Sequence, residues 1–250
     1  MGNKIKFGIA GPVPGQAVKD LIEFTVNAEN KGFDSIWFPD HIVFMAQKLN
    51  PDVWSVITAA SLKTDSILLG AIGDAHRMHP AVFAQRLATI DHMSEGRTFA
   101  CLGYGEKMNL DPYDIKWDKP LKRVEESVKI MRGLWSGDSV DFNGDIYNLN
   151  QAELRIQPLN GKVPLYIAAT GPKALEVAGK YGDGWLSITM PAQLFKKKAN
   201  IVNNFVTRDN ESTDDFENCI YIFISLANDQ DEAYKSLEPV KHALIWPELL

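Results

Sequence analysis

Short, unbroken apolar runs alternate along this chain with longer stretches in which apolar residues return every third or fourth position. The first pattern suits strands covered on both faces, and the second suits helices with one buried stripe. Ile5–Ala10 reads as a strand, followed by a Gly/Pro-rich turn at Gly11–Gly15 and a helix through Val18, Leu21, Ile22, Thr25 and Val26. Gly32 stands where a helix C-terminus wants a residue free to take positive φ. The unit then repeats. Ser35–Phe38 is a strand, and Asn50–Pro51 supplies an N-cap and first-turn proline for a helix facing inward with Trp54, Ile57 and Ser61. Ile67–Ile72 is a third strand, and Pro80 opens a helix with Phe83, Leu87 and Ile90 in register, closed by Gly96. Thr98–Leu102 is a fourth strand, and Leu121, Val124, Val128, Met131 and Trp135 mark a long amphipathic helix.

Between Ser136 and Pro158 the rhythm breaks. An Asn-Gly pair at 143–144, flanked by aromatic and apolar residues, predicts an inserted β-hairpin. The units resume with a strand at Leu165–Ala168, a helix at Pro172–Lys180, and strands at Gly184–Ile188 and Cys219–Leu226. A last helix is expected from about Asp229. Strand-helix units repeating roughly every 30 residues give an α/β fold, either a closed barrel or an open doubly wound sheet. Closure into a barrel takes eight strands, and the pattern supplies seven. The expectation is one domain over residues 1–250, with an insertion at about 136–160 and no eighth unit.

The composition narrows the function. A net charge of −6 without a basic block argues against a nucleic-acid partner. Lys196–Lys198, the densest basic run, belongs to a polar helical stretch. Cys101 and Cys219 are too few for a disulfide framework or a zinc cluster and sit in apolar runs, as buried thiols do. No apolar run approaches the ~18 residues of a membrane span, so a cytoplasmic protein without a membrane partner is expected.

In a β/α barrel, chemistry gathers in the loops that follow the strands. Those positions hold Asp40 and His41 after the second strand, and Asp74, His76, Arg77 and His79 after the third. Gly103, Tyr104, Gly105, Glu106 and Asn109 follow the fourth, and Ala169, Thr170 and Gly171 the fifth. Thr170-Gly171-Pro172 exposes backbone N–H groups at a helix start, as a phosphate requires, although an ordinary tight turn has the same look. The Gly103-x-Gly105-Glu106 turn lets a backbone approach a flat ligand with a carboxylate beside it. It lacks the third glycine of a dinucleotide fingerprint. Asp40-His41 offers an acid and an imidazole able to move protons near neutrality. Asp40, His41, Asp74 and His76 could alternatively serve a metal-dependent hydrolase, but His76 and His79 precede Pro80 in a loop and no metal is expected.

Several segments together resemble one family. They are Trp37–His41 (WFPDH), Arg77–Gln85 (RMHPAVFAQ), Leu87–Asp91 (LATID), Ser94–Arg97 (SEGR), Leu102–Glu106 (LGYGE), Ala168–Pro172 (AATGP) and Tyr181–Gly184 (YGDG). In this order they resemble the luciferase-like superfamily, in its branch of oxidoreductases dependent on the deazaflavin coenzyme F420. The resemblance implies a (β/α)8 TIM barrel with an insertion after the fourth unit, and F420 lying across the strand ends. It implies His41 and Glu106 as catalytic residues, and Asp40, Ala71, Ile72, Gly105, Thr170 and Gly171 as cofactor-binding ones. Strand three would bulge at Ala71–Ile72 behind the ring. It further implies hydride transfer to or from a small-molecule substrate, and a homodimer. Met45 stands where the alcohol and sugar-phosphate dehydrogenases of the branch carry tryptophan, which separates this chain from those substrates. An FMN-dependent monooxygenase and a non-catalytic flavin-binding paralogue are the alternatives within the superfamily.

Overall fold

The computed structural model describes residues 5–11, 17–43, 50–206 and 215–236. Met45 and most of the first turn, residues 12–16, lie outside the described residues. The parallel strands are β1 (Gly8–Ala10), β2 (Ser35–Pro39), β3 (Leu68–Asp74), β4 (Thr98–Gly103), β7 (Leu165–Ala168), β8 (Gly184–Ser187) and β9 (Glu217–Ile220). Helices α1 (Val18–Asn30), α2 (Val53–Ser61), α3 (Pro80–Met93), α4 (Pro120–Trp135), α5 (Pro172–Tyr181) and α6 (Ala192–Asn203) alternate with them. The seven strands form one sheet in the order β1-β2-β3-β4-β7-β8-β9, the progression of a TIM barrel. In the described residues β1 and β9 are its two edges, so the sheet curls without closing.

Local chemistry sets the helix ends. The α2 cap is Asp52, whose Oδ2 accepts from the Ser55 amide at 3.1 Å. The expected Asn50–Pro51 start is therefore two residues early, because the side chain that reaches back to the first free N–H belongs to Asp52. Pro80 does open α3, where its missing N–H costs nothing. Gly96 follows α3 at φ +84°, its amide bonded to the Asp91 carbonyl.

Strand limits follow pairing. Residues 5–7 lie outside β1 because the β2 ladder begins at Gly8↔Ser35. The last strand ends at Ile220, earlier than its apolar run suggests, because β8 offers no partner beyond Ser187. The β3–β4 ladder runs from Leu69↔Thr98 to Asp74↔Gly103 without a register shift. The bulge implied at Ala71–Ile72 does not interrupt it.

The insertion is the predicted hairpin, β5 (Val140–Asn143) against β6 (Asn148–Ala152), antiparallel. A buried carboxylate holds its turn. The Glu126 carboxylate of α4 accepts the amides of Asp145, Ile146 and Tyr147 at 2.8, 3.2 and 3.1 Å.

Inside the sheet's curl, Tyr166 packs edge to face on Trp37 and Phe99, which meet at a tilt, with centroids 4.3–5.6 Å apart. Gly70 and Gly184 make this possible, since a β-carbon there would strike the Phe99 and Tyr166 rings. The aromatic plug fills the lower interior, leaving the C-terminal strand ends as the place for a ligand. Below the plug, Lys6 reaches from the β1 edge to Glu217 at the start of β9, 2.5 Å away, and Tyr166 donates to the same carboxylate. Cys101 and Cys219 are free thiols. Cys101 is buried and Cys219 only half-buried, unlike the buried thiol expected there; burial pushes the Cys101 thiol well up and the Cys219 thiol up to about 12. No helix of the described residues is long and apolar enough to cross a membrane.

Candidate active site

Four strand ends assemble the site. Asp40 and His41 follow β2, and Glu106 follows β4. His41 Nε2 and Glu106 Oε2 lie 3.6 Å apart, within ion-pair distance, with side chains 19% and 35% exposed. The pair is open enough for a substrate and buried enough for its charges to be felt. Burial holds the His41 pKa below the usual imidazole value, and the Arg77 charge acts the same way. Glu106, Asp40 and Asp74 oppose them by favouring the protonated ring. The balance keeps His41 neutral near pH 7, ready to accept a proton.

Asp40 is held by the protein itself. Arg77 bonds both its carbonyl (2.6 Å) and its Oδ1 (2.5 Å), and the Trp54 indole donates to Oδ2 at 3.0 Å. Both carboxylate oxygens are thus occupied, and Asp40 acts on its surroundings as a fixed charge beside His41. Arg77, one of the βα-loop residues, is therefore a clamp between the second and third loops. Trp54 carries no sequence signal for this role, since it reads only as a core residue.

Asn109 is the site residue that sequence reasoning placed at the rim without assigning it work. It is 1% exposed. Its Oδ1 accepts the Val43 amide at 2.9 Å and its Nδ2 donates to Glu106 Oε2 at 3.3 Å. One amide side chain thereby sets the spacing between the His41 loop and Glu106.

The two suspected metal ligands are otherwise engaged. His76 Nδ1 lies 2.9 Å from Asp74 Oδ1, and Nε2 lies 3.3 Å from the Asp118 carbonyl. His79 caps α3 through Nδ1, and its ring packs on Tyr147. Asp40, His41, Asp74 and His76 do not converge, and no metal-holding group of three or more such residues occurs among the described residues.

Two rim glycines differ in their surroundings. Gly105 has φ +82°, and a side chain there would meet the Asp74 carboxylate and the His76 ring at 2.7–2.9 Å. Glycine is required because this turn packs directly on the Asp74 and His76 side chains. Gly171 is the N-cap of α5 with Pro172 in its first turn, and a β-carbon on Gly171 would meet no described heavy atom within 4 Å. Space is therefore open on the β-carbon side of Gly171, at the N-terminus of α5. Thr170 is fixed there by Tyr104, hydroxyl to hydroxyl at 2.9 Å, and by Lys198, whose ammonium donates to the Thr170 carbonyl at 2.8 Å. Ala71 is fully buried toward the helices, whereas Ile72 joins the cluster lining the interior.

Comparison with known proteins agrees with this architecture. The luciferase-like monooxygenase family model matches residues 4–246. The chain is 34% identical over 230 residues to a 5,10-methylenetetrahydromethanopterin reductase of Archaeoglobus fulgidus, covering 92% of this chain and 67% of that protein. It is 33% identical over 244 residues to an F420-dependent glucose-6-phosphate dehydrogenase of Mycobacterium avium, covering 93% and 72%. Among solved structures, an F420-dependent secondary alcohol dehydrogenase in complex with an F420-acetone adduct superposes with a TM-score of 0.88 at 28% identity. That match covers 99% of this chain and 77% of the other. The matched part of a second curated reductase, from Methanolobus tindarius, is about half (51%) of its length.

Proposed function

Because the chain belongs to the luciferase-like monooxygenase family, we propose that it is an oxidoreductase dependent on coenzyme F420, exchanging a hydride with a small organic substrate. The observation that carries this reading is the His41–Glu106 pair, 3.6 Å apart at the strand-end rim. Curated relatives and a solved neighbour whose names specify F420 support the choice of cofactor. When bound, F420 supplies the hydride chemistry at its ring carbon.

The chain's own residues do the rest. The Gly103–Gly105 turn and the β3 end would hold the ring, and the backbone N–H groups at the Gly171 end of α5 would hold the phosphate. His41, neutral at rest, takes a proton from the substrate as the hydride leaves, or returns it in the opposite direction. Glu106 favours the imidazolium that forms at Nε2, and Asn109 holds that carboxylate in place. Asp40, clamped by Arg77, adds a second fixed negative charge beside the ring.

Titration of the purified protein with F420 and, separately, FMN, followed by fluorescence, tests the cofactor. Saturable binding of F420, and its oxidation or reduction in a screen of small organic substrates, is the expected result. Tight FMN binding with no F420 binding would overturn the proposal.

A further inference from the structure

On the helix side of β3, behind the Asp40–Arg77 clamp, lies a small void of about 10 Å³. Its wall includes Asp40, Trp54, Asp74, Arg77, Phe83 and Ser127. Two of these residues carry a buried oxygen without a protein hydrogen-bond partner, Asp74 Oδ2 and Ser127 Oγ. The Asp74 side chain is 8% exposed and Ser127 3%. Asp74 Oδ1 is occupied by the His76 amide and ring, so Oδ2 is the oxygen left over. Leaving a buried carboxylate oxygen and a buried hydroxyl both unmet is costly, and native proteins rarely do it.

We propose that this void is a binding site for one ordered water molecule, bridging Asp74 Oδ2 and Ser127 Oγ. The volume is at the lower limit of the ~10–15 Å³ that a single water needs. The wall chemistry selects water over other occupants. Asp74 Oδ2 calls for a donor, and the Ser127 hydroxyl serves as donor or acceptor, so a water satisfies both. The Arg77 guanidinium in the same wall repels a metal cation, and the carboxylates of Asp40 and Asp74 repel an anion. An apolar occupant would leave Asp74 unmet. The bridge joins α4 to the end of β3, so the loop that carries Arg77 rests on a hydrated joint with the helix. The proposal stands independently of the reaction assigned to the rim.

A high-resolution crystal structure of the full chain is expected to show a density peak within about 3.2 Å of both oxygens. Thermal unfolding of Ser127→Ala and Ser127→Val gives a second readout. Alanine removes one partner of the water, whereas valine also fills the void and leaves Asp74 unmet. The melting temperature should therefore fall from wild type to alanine to valine. Lys129→Ala and Lys129→Val, on the exposed face of the same helix, measure the propensity cost of the branched side chain. The alanine-to-valine drop at 127 should exceed that at 129. A void without density, together with a valine variant at least as stable as alanine after this correction, would show a dry cavity and overturn the proposal. Should the variants fail to fold, the wild-type density alone decides.

Discussion

At the scale of single residues, the site depends on how neighbours bias one imidazole. His41 binds its proton less tightly in the folded chain than the ordinary imidazole value of 6.5, chiefly because it is buried. Its neutral form is the one that accepts a proton, so kcat/KM for substrate oxidation should hold above that value and fall on an acid limb below it. His41→Gln should remove the limb and lower kcat by about 10²–10⁴-fold while F420 still binds, as a pH series of initial rates would reveal. The same shift links to stability. Below about pH 6.5 the unfolded chain takes up this proton first, so the His41 contribution is intact above that pH and is lost as pH falls toward the folded value. Urea midpoints at successive pH values should show that slope in the wild type and a shallower one in His41→Gln. Both His41 and Glu106 were legible as strand-end residues. The clamp on Asp40 was not, because Trp54 and Arg77 are 14 and 37 residues away from it.

At the scale of elements, Glu126 ties the turn of the hairpin to α4, while Tyr147 and the apolar side chains of both strands pack on the core. The Glu126 carboxylate serves three amides of the 145–147 turn, and a β-carbon on Gly144 would collide with it. Glu126→Ala should destabilise the protein by about 2–4 kcal/mol, since three amides lose a charged acceptor although water can reach part of the turn. Calorimetry would read this as a fall in Tm of several degrees. Limited proteolysis should cut first within 140–152, and an unchanged cleavage pattern would refute the docking role. The hairpin itself was readable from its Asn-Gly turn. Its anchor was not, because Glu126 sits in a helix whose apolar stripe hides a carboxylate among Val124, Val128 and Met131.

Across the whole molecule, seven parallel strands surround an aromatic plug, and the two edge strands approach one another through Lys6 and Glu217. That ion pair is half-exposed and contributes little on its own. Large apolar side chains near the edges, Ile5, Phe7, Ile222 and Ile224, are exposed. Amide hydrogen exchange should accordingly be slowest in β3 and β4, paired on both sides, and faster by at least about tenfold in β1 and β9. Equal protection across the sheet would show that the edges are covered.

The sequence by itself determined the succession of strands and helices, the hairpin and the strand-end positions of Asp40, His41, Glu106 and Gly171. Each depends on local periodicity, turn chemistry or capping, which neighbouring residues control. Tertiary structure alone decided which of those residues meet. Strand register set His41 against Glu106 and let Asn109 join their loops, while packing turned His76 and His79 into structural groups and gave both oxygens of Asp40 to Arg77 and Trp54. Such pairings depend on distances between residues far apart in the chain, which no local pattern encodes.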